Sequence, residues 1–310
     1  MQRAAGTSTV CTTLATGTAR PHTEAMEPIA RSYTSQRLRL NYVVWGDERK
    51  PPVLLVHGGR DHARNWDFVA EALTLEYAVY AVDLRGHGDS DWAFGSMYSL
   101  PEFTADVAAF VDHLDRGPLP LVGHSLGGAI VLQYAGTFPS NVLRVAAVEG
   151  LGPGVREPRP AHLRMAEWIE QVRDFEQRRP RRYRTLEEAV QRMQAANPHL
   201  TPAMARHLAE HGVRRHEDGS YTWKFDNYVR MHSPYEFALH DARELWNQIR
   251  CPVLLIRGDK SWANDPVRDG KASAFHDYRS VQVADAGHWV HHDQLDAFLK
   301  ILLPFLCGEA

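Results

Sequence analysis

Short unbroken apolar runs recur along the chain at 52–56, 78–82, 119–122, 145–148, 252–256 and 281–284. Runs of this length, bounded by turn-forming residues, suit strands buried on both faces. The segment 38–45 reads as a further strand. In 63–73 and 102–114 the apolar residues instead return at three- and four-residue intervals, the spacing of a helix with one buried face. Strand and helix alternate, which predicts an α/β fold: a mainly parallel central sheet with helices on both faces.

The alternation breaks between Gly150 and Trp246, a stretch too long for one crossover and carrying helical patterns of its own at 165–175, 186–193 and 202–212. This predicts an inserted, mostly helical cap. Within it, 218–226 reads as extended with Gly219 at a turn, and Trp168, Tyr221, Trp223, Phe225 and Tyr228 supply aromatics that pack the cap or line an apolar acyl pocket. The cluster Arg178, Arg179, Arg181, Arg182 and Arg184 reads as a solvated face rather than an anion site. The expected organisation is a disordered N-terminal extension at 1–30, a core formed by 31–150 and 246–310, and a cap at 151–245. The extension is rich in Thr, Ala and Ser, with Arg3 and Arg20 and no acid before Glu24, and Met26 offers a second start. Its composition is like that of a transit peptide, without the apolar stretch of a secretory signal.

Composition narrows the function classes. With 35 Lys and Arg against 38 Asp and Glu, the net charge of −3 offers no long-range attraction for nucleic acid or an anionic membrane. No apolar run approaches the roughly 20 residues that span a bilayer, so no membrane insertion is expected. Cys11, Cys251 and Cys307 are far apart in sequence, without zinc or disulfide-framework spacing, and read as reduced thiols of a cytoplasmic protein. Oligomeric state leaves no mark in the sequence.

The chemistry concentrates where the run 119–122 leads into Gly123-His124-Ser125-Leu126-Gly127-Gly128 and then a helical segment from Ala129. A sharp strand-to-helix turn needs small residues two positions either side of its apex, and Gly123 and Gly127 supply them. Ser125 takes the apex, exposed at a helix N-terminus whose free N–H groups favour a developing anion. That makes it a candidate nucleophile. A serine hydroxyl needs a base to take its proton. Among 17 histidines, His288 stands out because it follows the last predicted strand and the small residues Ala286-Gly287, ahead of the amphipathic segment 295–306. His291 and His292 lack accompanying ligands at metal spacing and read as surface or packing residues.

Four stations, His57-Gly58-Gly59, the segment from Asp83 to Ser90, the Ser125 elbow and Gly287-His288-Trp289, occur in an order that resembles the α/β-hydrolase superfamily. The resemblance implies an α/β-hydrolase fold and a serine hydrolase without cofactor or metal. It also implies an oxyanion hole from the Gly59 and Leu126 amides, with His288 as base. The Asp83 to Ser90 segment is expected to be structural, with Asp83 and Arg85 as pairing partners. In most relatives an Asp stands three residues after the glycine that ends the strand at 252–256. Counted from Gly258 that position is Ser261, and Asp259 falls two residues early. Another branch places the acid after the preceding strand, where this chain has Glu149. Glu149 is the favoured triad acid and Asp259 the alternative.

The expected activity is cleavage of a small-molecule carboxylic ester or lactone through an acyl-enzyme. A carbon–carbon bond hydrolase, amidase or perhydrolase would use the same residues, and a ligand-binding member of the fold would have lost turnover. The serine argues against dehalogenase and epoxide hydrolase chemistry, whose relatives carry Asp at the elbow.

Overall fold

The structure is a computed structural model that describes residues 27–95, 98–152, 159–231, 233–235 and 237–309. Most of the extension expected at 1–30 therefore lies outside the described residues. The chain first pairs as a hairpin of β1 (Ile29–Ser35) and β2 (Leu38–Trp45). Then come β3 (Pro52–Val56), α1 (Asp67–Leu73), β4 (Ala78–Val82), α2 (Leu100–Leu114), β5 (Leu119–His124), α3 (Leu126–Thr137) and β6 (Val142–Val148). After an intervening segment the core resumes with α7 (Leu239–Trp246), β9 (Val253–Gly258), β10 (Tyr278–Val283), the short α8 (Val290–Asp293) and α9 (Leu295–Cys307). That segment holds α4 (Ala161–Gln177), α5 (Leu186–Ala196), α6 (Pro202–Gly212) and the two-stranded ribbon of β7 (Val213–Arg215) and β8 (Tyr221–Trp223).

Eight strands form one sheet in the order β1-β2-β4-β3-β5-β6-β9-β10, parallel from β4 to β10 and antiparallel only at β1–β2 and β2–β4. The predicted mainly parallel sheet is what the chain builds. The unbroken apolar runs follow from burial on both faces. Leu54, Val56, Leu121, Val145 and Leu255 point into a core with Phe103 and Phe110 of α2, Ile130 and Tyr134 of α3 and Trp246 of α7. Their neighbours Val53, Leu55, Val122, Ala146 and Leu254 face the other layer, formed by Val69 and Leu73 of α1 and Phe298, Leu302 and Phe305 of α9.

Three features differ from the pattern reading. β1 begins at Ile29, inside the expected extension, and its weak apolar signal reflects an edge strand with only Tyr33 and Ser35 buried. β10 starts three residues before the predicted run because it too lies at an edge, with most of its residues exposed. α7 packs Ala242 and Trp246 into the core, so the chain returns to it ahead of residue 246. Among the cysteines, Cys251 carries a free thiol, whereas Cys307 is disulfide-bonded. The expectation of reduced thiols throughout fails at Cys307, because distance along the sequence says nothing about proximity in the fold. Among the described residues no helix is long and apolar enough to cross a membrane.

The segment between β6 and α7 has small cores of its own. Tyr183, Ala189 and Val213 pack with Leu186, Tyr221 and Trp223, while Leu200, Ala205 and Leu208 pack with Met193 and Met204 and against Trp289 from the loop after β10. It is tied to the core by hydrogen bonds: His62 Nε2 to the Leu208 carbonyl (3.0 Å), the Tyr98 hydroxyl to Asp226 (2.6 Å) and the Asp226 amide to the Gly86 carbonyl (2.8 Å).

Candidate active site

At the end of β5 the chain reverses into α3 through Ser125, which adopts φ 51° and ψ −115°. A left-handed φ at a non-glycine residue costs energy and persists only where the surroundings enforce it. Here they do: the Ser125 amide donates to the Val148 carbonyl at 2.8 Å, and the Ser125 carbonyl accepts from the Ala129 amide at 3.2 Å. The flanking glycines are required by close backbone approach. A Cβ on Gly123 would run into the Gly127 carbonyl, and one on Gly127 into the carbonyls of Val56, the last residue of β3, and His57 just after it. Gly128 and Gly150 are equally constrained, against the Gly150 and Ser125 carbonyls respectively. These two contacts cross from one segment to another, so spacing within the elbow could not reveal them.

His288, on the loop after β10, reaches Ser125. Its Nε2 lies 3.0 Å from Ser125 Oγ and its Nδ1 lies 3.3 Å from Glu149 Oε2. The carboxylate fixes the tautomer: Nδ1–H donates to Glu149, leaving Nε2 to accept from the serine hydroxyl. The ring is also held from the main chain, where the His288 carbonyl accepts from His124 Nε2–H at 2.9 Å. Trp262, 79% exposed, stacks on the imidazole with ring centroids 4.6 Å apart.

Glu149 sits just past β6 with φ 57° and a side chain with no exposed surface. A buried carboxylate needs donors, and it has them: the Gly258 amide reaches Oε1 at 2.6 Å and the Ser261 hydroxyl reaches Oε2 at 2.5 Å. Asp259, the alternative, points elsewhere. Among the described residues its cationic partner is Lys260 at 3.6 Å, and its buried Oδ1 has no hydrogen-bond partner. The structure thus brings Glu149 and not Asp259 to His288. Ser261 stands where most relatives carry Asp, and nothing in the local sequence signals what it contributes here. From the same position it supplies a hydroxyl to an acid arriving from the neighbouring strand.

Gly58 and Gly59 run alongside the elbow. A Cβ on Gly58 would stand 3.2 Å from Ser125 Cβ, and one on Gly59 would stand 3.9 Å from a methyl of Leu126. Neither the Gly59 nor the Leu126 amide donates to another group among the described residues. His57 is buried beneath them. Its Nδ1–H donates to the Gly58 carbonyl at 2.6 Å and its Nε2 accepts from the Leu84 amide at 3.1 Å. Burial holds its pKa well below the ordinary imidazole value.

The segment from Asp83 to Ser90 is structural, though Asp83 and Arg85 do not pair with each other. Arg85 forms a buried two-pronged bond with Asp106 at 2.6 and 2.7 Å, while Asp83 accepts from the amides of Ala63 and Asp89 and from Asn41 Nδ2. His291 and His292 are packing residues: His291 stacks on Trp66 and binds Asn65 Oδ1 at 2.8 Å, and Asn65 in turn binds Asp61. Burial raises the Asp61 carboxyl to about 8 and lowers His292 to about 3.

Known proteins show the same architecture. The chain is 26% identical to a serine hydrolase-like protein of Danio rerio over 85% of this chain and 83% of that one. It is 34% identical to epoxide hydrolase 4 of Mus musculus over 88% of this chain and 77% of that one. An esterase of Mycobacterium tuberculosis is 28% identical over 83% of each chain. Its solved structure superposes with a TM-score of 0.72, covering 90% of this chain and 92% of that one, at 24% identity. With residues 51–295 matching the α/β hydrolase fold family along most of the core and the segment inserted in it, the chain belongs to that family.

Proposed function

We propose that this hydrolase cleaves small-molecule carboxylic esters or lactones through an acyl-enzyme on Ser125. One observation carries the reading: Ser125 Oγ, the His288 ring and the Glu149 carboxylate form a continuous relay with 3.0 and 3.3 Å links. His288 Nε2 takes the hydroxyl proton as Oγ attacks the substrate carbonyl, and Glu149 stabilises the imidazolium that forms. The Gly59 and Leu126 amides receive the oxyanion. As the tetrahedral intermediate collapses, the C–O bond to the alcohol breaks and His288 returns the proton to the leaving oxygen. Water then attacks the acyl-enzyme with His288 again as base, regenerating Ser125 and releasing the acid.

A serine at the elbow favours this route over the epoxide-opening chemistry named for the mouse relative, because an acyl-enzyme forms on a hydroxyl activated by a base. The esterase relative from Mycobacterium tuberculosis supports an ester as the substrate class. The segment 151–245 is read as the cap that selects substrate, and no cofactor takes part in the scheme. The test is hydrolysis of p-nitrophenyl esters of increasing chain length, lactones and amides, with Ser125→Ala as the blank and fluorophosphonate labelling as a direct probe of the nucleophile. Ester turnover and labelling that both vanish in Ser125→Ala are expected. A blank as active as the parent would overturn the assignment.

A further inference from the structure

Away from Ser125, the contact between α6 and the start of α1 gathers a second set of chemically capable side chains. His207 and His211 are four residues apart on α6 and therefore share one face of the helix. Opposite them, Asp67 opens α1. One ligand atom from each of Asp67, His207 and His211 lies within 4.8 Å of the other two, and His207 Nε2 is already 3.3 Å from Asp67 Oδ2. Donors around a tetrahedral divalent ion stand roughly 3.4 Å apart, so closing the set takes side-chain adjustments of up to about 1.4 Å, and His207 Nε2 exchanges its 3.1 Å contact with the Arg64 carbonyl for the ion.

We propose that Asp67, His207 and His211 form a binding site for a divalent transition-metal ion that staples α6 to the core. The donor set, two imidazoles and a carboxylate, is one that zinc and its neighbours favour. The elements that carry it are fixed by other bonds. His62 Nε2 donates to the Leu208 carbonyl at 3.0 Å, and Gly212 packs closely enough that a Cβ there would stand 3.2 Å from the His62 and Trp223 rings. Arg64 holds the Asp67 carboxylate through Nε at 2.7 and 2.8 Å. A carboxylate has about four lone-pair sites, so Arg64 acts as the outer partner that orients a ligating oxygen, while its charge weakens the affinity. His211 has no hydrogen bond among the described residues and stacks edge-on to His207 at 4.8 Å, so its ring is available. The ion would bridge two segments separated by 140 residues of chain, and its binding is independent of the chemistry at Ser125.

The experiment titrates the chelator-treated full chain with zinc chloride by calorimetry, and with cobalt(II) by visible absorption. The parent should bind one equivalent, give the intense absorption of a tetrahedral cobalt site and unfold at a higher temperature with zinc. His211→Ala should keep its fold and its zinc-free ester turnover, yet bind zinc more than about 100-fold more weakly and lose the thermal shift, since loss of even an outer-shell partner costs 10–100-fold. Asp67→Asn should weaken binding in the same direction. No binding by the parent, or equal binding by the parent and both variants, would overturn the site.

Discussion

Replacing Glu149 by Gln reverses the donor–acceptor relations at one carboxylate oxygen, the one that meets both the Ser261 hydroxyl and His288 Nδ1. Glu149 Oε1 accepts the Gly258 amide at 2.6 Å, so an oxygen must remain there, because an amide NH2 would face an N–H. The new NH2 therefore takes the Oε2 place, 2.5 Å from the Ser261 hydroxyl and 3.3 Å from His288 Nδ1. Ser261 can rotate its hydroxyl and accept. His288 cannot keep a proton on Nδ1 opposite an amide donor, so its proton moves to Nε2, the nitrogen that must accept from Ser125. The amide nearly matches the carboxylate in volume, so packing is preserved. In the Ser-His-Asp proteases the corresponding change lowers kcat by about 10⁴, equivalent to about 5.5 kcal/mol of transition-state stabilisation. Steady-state hydrolysis of a p-nitrophenyl ester should show a kcat fall of that order with KM little changed, in a protein whose circular dichroism and thermal midpoint match the parent. Asp259→Asn should remain close to the parent. A Glu149→Gln enzyme within about tenfold of parental kcat, or a collapse in Asp259→Asn alone, would refute the reasoning.

Gly127→Ala should cost about 3 kcal/mol or more in denaturant stability, because its Cβ meets the main-chain carbonyls of Val56 and His57 rather than a side chain that can move; a stable, active variant would contradict this. Asp106→Ala should cost about 3 kcal/mol, since it removes the two-pronged partner of the Arg85 guanidinium, whose side chain is 2% exposed, and leaves Glu102 at 3.5 Å to offset part of its charge. Asp61, raised to about 8 by burial, retains its proton in the folded chain where the unfolded chain ionises. Its contribution is present in acid and is lost as pH rises from ~4 toward 8, so the thermal midpoint of Asp61→Asn should gain on the parent across that window, and a constant offset would count against it. His62 and His87, lowered to about 3 and about 4, act with the opposite sign, and stability should fall as pH drops below ~6.5.

Ser125, His288 and the sheet that carries them were legible in the chain because their signals are local. An elbow needs its glycines at fixed offsets, and a strand buried on both faces needs an unbroken apolar run, whatever the rest of the chain does. β1 and β10 left weaker traces, because an edge strand buries little of its surface. The identity of the acid beside His288 was decided by register. β6 pairs with β9 so that Val148 stands beside Ile256, and this alignment brings Glu149 to the Gly258 amide and the Ser261 hydroxyl. Sequence offered Glu149 and Asp259 as two carboxylates near two strand ends, and only the lateral pairing of those strands turns one of them toward the imidazole. The meeting of Asp67 with His207 and His211 has the same origin: 140 residues separate the partners along the chain, and only the docking of α6 on the core brings them together.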